Sequence, residues 1–317
     1  MKQERFERSH GPLWDDLERW LQGEPTLADE DVPAGFRRLC HHAALAGDRS
    51  YGAPLNDRLQ ALALALHQRL YQHREGGLGL WRIVARDYPA RVRAEWRLVL
   101  FSCLLLFGTW AAAFLVVRRN PDLVYLVLSP AQAAEMVRMY DPASREFAGM
   151  AGAMRNVAMF GHYISNNIGI DFQNFGSGLL LGAGPIASMI FNGVYGGAIM
   201  AHLTNQGLVA TFYGFVSGHS ALELVGAALS GAAGLRLGLG LMHPGRRPRL
   251  EALKDAGRRG AYLLMGAATL TFMAACIEAF WSANRWVPWK TKVGVGSALW
   301  LLLLAYFLLA GRRRVSR

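Results

Sequence analysis

Four ionisable side chains stand in parts of the chain otherwise apolar enough for a bilayer: His219, Glu223, Arg236 and Glu278. His219 and Glu223 are four residues apart and stack on one face of a helix. Arg236 lies thirteen residues further along, a spacing read as nearly four turns, and is expected back near the face of Glu223. Glu278, in the run AACIEAF, could pair with Arg236, and the amides Asn166, Asn167 and Asn192 belong to the same polar set. Charges within a membrane span are costly and ordinarily face a protein interior or a wet cavity. The set therefore reads either as packing helices with an internal ion pair or as a ligand or proton site. Hydrolysis asks for more. No HExxH spacing and no serine in a nucleophile turn is present. A histidine–glutamate metal site would want further ligands, and His162 and His202 are the other membrane-embedded histidines on offer. No catalytic residue, metal or cofactor is expected.

The elements that must position these groups are long and apolar. Of 317 residues 52% are hydrophobic, concentrated after Arg97, and the runs Leu98–Val117 and Val293–Ala310 are nearly free of charge and long enough to cross a hydrocarbon core. The fold expected is all-α, a polytopic helical membrane protein. Its segments are placed at about 98–117, 148–170, 172–203, 208–240, 261–281 and 293–310, the second weakened by Arg155, Asn156, His162, Asn166 and Asn167. Counting it gives six and puts the basic stretches Arg246–Arg259 and Arg312–Arg317 on the side of the N-terminus, as the positive-inside rule prefers. Both termini are expected in the cytoplasm of a bacterium, in its inner membrane. Two segments carry breaks, at Gly182–Pro185 (with Gly184) and at Gly214–Gly218. Small residues at Gly226, Ser230, Gly234 and Gly238 recur every four positions, the pattern of close helix packing.

Residues 1–80 read as a cytosolic helical domain and 81–97 as a basic, aromatic-flanked juxtamembrane helix in which Pro89 bends or restarts the chain. Residues 98–317 form the membrane domain, with an extracytoplasmic segment 118–147 and a cytoplasmic loop 241–260. Ser9 is read as the cap of the first helix, and Ser129-Pro130 as the cap and first turn of a short amphipathic helix stopped by Asp141-Pro142. The neighbours His41 and His42 point about 100° apart on a helix and read mostly as surface. Cys40, Cys103 and Cys276 have no metal or redox spacing. The net charge of +11 sits beside the spans, which suits anionic lipid rather than nucleic acid.

The order of motifs resembles the integral membrane family of stage II sporulation protein M. The elements are Asn166-Asn167, Asn192-Gly193, Gly218-His219-Ser220 with Glu223, Gly234–Gly238, and Ala275–Phe280. Gly218 stands where the family has proline and Ser220 where it has glycine. The stretch around Trp14, Tyr51 and Asp87-Tyr88-Pro89 looks like the N-terminal extension of non-sporulating members. The resemblance implies a non-enzymatic membrane scaffold or assembly factor in a cell-envelope complex, for peptidoglycan remodelling or membrane maintenance. It also implies an RDD-type membrane protein and a MoxR-type ATPase system as partners. Glycines 178, 182, 193 and 197 are read as a homodimer face. The other reading is a small-solute or ion transporter or channel built on the His/Glu/Arg cluster.

Overall fold

The computed structural model describes residues 2–71, 79–145 and 153–312. Within them the chain is helical without strands, the all-α membrane architecture expected. It divides into two compact units, 1–79 and 80–317.

The first unit packs α1 (Gln3–Leu21), α2 (Val32–Asp48) and α3 (Ala53–Tyr71) around Phe6, Trp14, Leu17, Leu39, Leu59 and Leu66. Ser9 does not cap α1, which begins six residues earlier and carries Pro12 in its interior. The reason is Phe6: fully buried against Trp14 and Tyr51, it holds the first turn on the core. His42 is also not on the surface. It is buried, accepts a hydrogen bond from Trp14 Nε1 at Nδ1 (3.1 Å) and stacks on His10.

The second unit opens within α4 (Gly79–Arg82), followed by a π turn at Ile83–Asp87 and α5 (Tyr88–Ala94), with Pro89 in the first turn, so the helix restarts there. Then follow α6 (Trp96–Arg119), α7 (Pro130–Tyr140), α8 (Ala153–Tyr163), α9 (Gly169–Gly176), α10 (Ala183–Asn205), α11 (Val209–Met242), α12 (Arg249–Ile277) and α13 (Trp289–Leu309). Ser129 caps α7 in a reciprocal capping box with Gln132, and Pro130 takes its first turn.

Among the described residues five helices are long and apolar enough to cross a membrane: α6, α10, α11, α12 with its terminal turn, and α13. The expected segment at 148–170 is instead α8, a π turn at Ile164–Ile168, and α9, reaching Gly176. Its direction follows from its partners. Asn167 meets Glu223, Asn174 meets Ser230 and Gly178 meets Gly234, so this segment runs parallel to α11 at a constant offset of 56 residues. Likewise α6 runs parallel to α10, with Leu106 and Thr109 against Gly193, Trp110 against Gly197 and Arg118 bonded to Asn205. Two parallel helices joined in sequence need a return between them, and α8–α9 supplies it.

α12 packs antiparallel to α11, since Trp281 covers Gly218 while Ala256 covers Gly240. α13 runs with α11, from Trp289 beside Gly214 to Trp300 beside Ser220, and its far end returns to the start of the unit. There Arg93 Nη1 donates to the Phe307 carbonyl (2.7 Å) and the Tyr306 hydroxyl to that of Val84 (2.5 Å). α11 is the central element: 61% of its most apolar stretch is buried, against 11% for α6 and for α13.

Of the two expected breaks one forms. Between α9 and α10 a short 3-10 turn leads to Leu181 and Gly182, both with positive φ, and Gly184 and Pro185 fall in the first turn of α10. Gly214 and Gly218 break nothing, because α11 is continuous through them. In an apolar medium an interrupted ladder leaves backbone groups unsatisfied, and the missing side chain at Gly218 serves the close approach of Trp281. The homodimer face also dissolves. Gly178 lies on Gly234, Gly182 on Gly238, Gly193 on α6 and Gly197 on Trp110, so these small residues are used within the chain.

Candidate functional site

α11 delivers His219 and Glu223, and the end of α12 delivers Glu278 at the first position of a π turn, Glu278–Ser282. His219 Nε2 lies 3.8 Å from Glu223 Oε2 and 3.9 Å from Glu278 Oε1. One ligand atom from each of the three residues falls within 4.8 Å of the others. The ring orientation is fixed from behind, with Nδ1 paired to Ser282 Oγ at 3.0 Å and Phe215 edge-on to the imidazole. Asn167 Nδ2 donates to Glu223 Oε1 (3.1 Å), and Asn166 in turn donates to Asn167 Oδ1 (2.8 Å). Both helices that bring polar groups to Glu223 and His219 from outside α11 carry a π turn at that point, a distortion common at functional sites. His219 and Glu278 are buried, and Glu278 Oε2 has no hydrogen-bond partner.

The cluster lines space rather than closing it. A cavity of about 620 Å³ is bounded by His219, Glu223, Glu278, Tyr140, Phe212 and Trp300. A second, of about 500 Å³, is bounded by the same two glutamates with Tyr163, His162, Asn167 and Arg155. Tyr140, the last residue of α7, borders both and packs edge-on against Phe212.

Not every expected member joins. Arg236 stands apart, its Nε 3.4 Å from Glu95 Oε1, with Arg259 at 3.9 Å from the same oxygen. Thirteen residues are about 220° past three full turns, so Arg236 faces away from Glu223, and its pairing with Glu278 does not form. Asn192 donates to the Ser188 carbonyl one turn back (2.8 Å) and borders a smaller cavity with Asp171 and Glu223. His202 is buried near the end of α10, outside the trio, and His162 reaches only the second cavity.

Sequence reasoning missed Asp171 and Ser282. Asp171 is buried on α9 and accepts from Thr271 Oγ1 at 2.7 Å. It fell between two segments ending at 170 and beginning at 172. A carboxylate inside the stretch GIDFQNFG was the available signal. Ser282 could not be found, because its role depends on the π turn that places it beside His219.

Five helices long and apolar enough to cross a membrane, with the α8–α9 segment packed beside the central α11 and a histidine–glutamate cluster lining internal cavities, define a polytopic helical membrane protein with an internal polar site. The chain belongs to the family described as Stage II sporulation protein M, whose family model matches residues 97–283 and so takes in the whole cluster. Residues 4–72 match a second family model, described as Domain of unknown function (DUF8413), which covers the N-terminal extension. A search of the curated proteins and a search of the solved structures found no match.

Proposed function

We propose that the protein is a non-enzymatic integral membrane scaffold or assembly factor of a cell-envelope complex, with both termini in the cytoplasm. The observation that carries this reading is the N-terminal three-helix unit. It has its own core and a charged exterior, and it is appended to a membrane domain of the stage II sporulation protein M family. A membrane protein that only anchors itself has no need of such a unit. RDD-type membrane proteins and MoxR-type ATPases are the partners this reading expects. Cross-linking of the tagged full-length protein in its own membrane tests it. The expected result is recovery of such partners, lost when residues 2–71 are removed. Membrane-inserted protein that recovers the same proteins with and without that unit overturns it.

One observation favours a second reading, passage of a small solute or ion. The two cavities sharing Glu223 and Glu278 are larger than a packing defect, and polar groups inside a membrane mark pathways more often than structure. Vesicles reconstituted with the purified protein would show flux that Glu223→Gln abolishes. Tight vesicles with no flux for any small ion or solute remove this reading.

A further inference from the structure

We propose that His219, Glu223 and Glu278 form a binding site for a single first-row divalent transition-metal cation, of which zinc is the probe. The site does not rest on either functional reading above. It rests on donor geometry, on charge and on an orphaned atom.

The donor geometry comes first. The three ligand atoms lie within 4.8 Å of one another, with His219 Nε2 at 3.8 and 3.9 Å from the two carboxylate oxygens. A cation held at about 2.0–2.2 Å by nitrogen and oxygen donors wants them slightly closer. Each carboxylate would have to move by on the order of half an ångström, a torsional adjustment for a glutamate. The imidazole is already prepared. Its Nδ1 is engaged by Ser282 Oγ, so Nε2 is the nitrogen left to bind, and a ligating histidine ordinarily has such a partner on its other nitrogen. Asn167 does the equivalent for Glu223, occupying Oε1 and leaving Oε2 turned to the imidazole.

Charge gives the second argument. Two carboxylates and one imidazole meet where the surroundings are apolar, and the arginine expected to neutralise them is occupied by Glu95. Arg155 borders the second cavity, and Tyr140 and Tyr163 border the space beside the glutamates. The Tyr163 hydroxyl reaches the Glu278 carboxyl, yet Oε2, buried on a residue 8% exposed, has no hydrogen bond of ordinary geometry. An unsatisfied carboxylate oxygen at this depth is expensive unless a cation or a proton takes it.

The donor set selects the ion. Magnesium and calcium prefer all-oxygen shells, whereas one imidazole with two carboxylates suits zinc, manganese, iron or cobalt. Three protein ligands beside an open cavity leave a position for water or another ligand.

The test uses the full-length protein in nanodiscs, stripped with a chelator and then equilibrated with zinc or cobalt. One metal per chain is expected, with a cobalt spectrum and an X-ray absorption shell of one imidazole and oxygens, free of thiolate. Glu278→Gln and Glu223→Gln, both close in shape to the native residues, should each weaken binding at least tenfold while the protein stays monodisperse. The pair His10→Ala and His41→Ala removes exposed or stacked imidazoles of the N-terminal unit and should leave this binding unchanged. Absence of bound metal in the wild-type protein overturns the proposal. So does a metal whose shell holds two or more imidazoles, or whose affinity is indifferent to both glutamine variants. If a variant fails to fold, the wild-type stoichiometry and spectrum still decide.

Discussion

Glu95 receives Arg236 from α11 and Arg259 from α12, and the side chains of Glu95 and Arg236 are largely shielded. This contact replaces the Arg236–Glu278 pair that sequence spacing suggested, so the two can be told apart energetically. In a double-mutant cycle Glu95→Gln with Arg236→Gln should show coupling of about 1 kcal/mol, and Glu278→Gln with Arg236→Gln should add without coupling. Thermal unfolding in one detergent measures both cycles. His42 supplies a second prediction. Burial, helped by His10, Arg38 and His41, pushes its pKa down from 6.5 to about 4. The unfolded chain therefore binds a proton that the folded unit refuses throughout that window, and stability falls as pH falls from 6.5 towards 4. Hydrogen exchange in α1 and α2 of the intact protein, taken relative to the intrinsic amide rate at each pH, should quicken between neutral pH and pH about 5. In His42→Leu that acceleration should be much reduced, although Trp14 Nε1 then lacks its acceptor and the baseline protection is lower. Apart from Asp171, the charged residues of the site were legible because charges in an apolar stretch are conspicuous. Their partners were not, since a partner depends on helix rotation and on which helices touch.

At the scale of elements, hydropathy placed the spans to within a few residues for α6 and α13, and local cap chemistry placed α7. Glycine was harder to interpret from sequence. The same residue type opens the chain at Gly182, where φ is +83°, and closes helix against helix at Gly234 and Gly218. Only the tertiary context separates the two uses. At Gly234 a β-carbon would overlap the Asn174 carbonyl, with Pro185 also near. Gly234→Leu should therefore cost roughly 1–3 kcal/mol or more, because backbone rather than a flexible side chain must yield. Its melting temperature and monodispersity in detergent report this. Gly108→Leu, with open space around its backbone, should behave like the wild type in both measurements.

For the whole molecule the alternation of helix directions is a labelling prediction. The ends at Trp96, Met242, Arg249 and Leu309 fall at one end of the bundle, and those at Arg119, Asn205, Val209 and Trp289 at the other. In a chain whose Cys40, Cys103 and Cys276 are first replaced, Pro244→Cys and Asn120→Cys should react with an impermeant thiol reagent from opposite faces of the membrane. Gly207→Cys should follow Asn120→Cys. Labelling of 244 and 207 from one face would mean that α11 does not cross. The arginines 86, 91, 93, 97 and 246–259 share the end expected to be cytoplasmic, a grouping that summed charge along the sequence already suggested. What sequence could not supply was the parallel pairing, because no periodicity records which non-consecutive helices lie side by side.

That pairing bears on how the protein is made. α6 presses its inward face on α10, and Arg118 waits for Asn205, 87 residues downstream. At about 5–20 residues per second, the first span spends roughly 4–17 s in the bilayer before its mate exists. During that interval Thr109 and Trp110 face lipid or a chaperone of the insertion machinery. Chains that stall before residue 183 would then offer quality-control proteases a stable, well-inserted helix with nothing to recognise as its own.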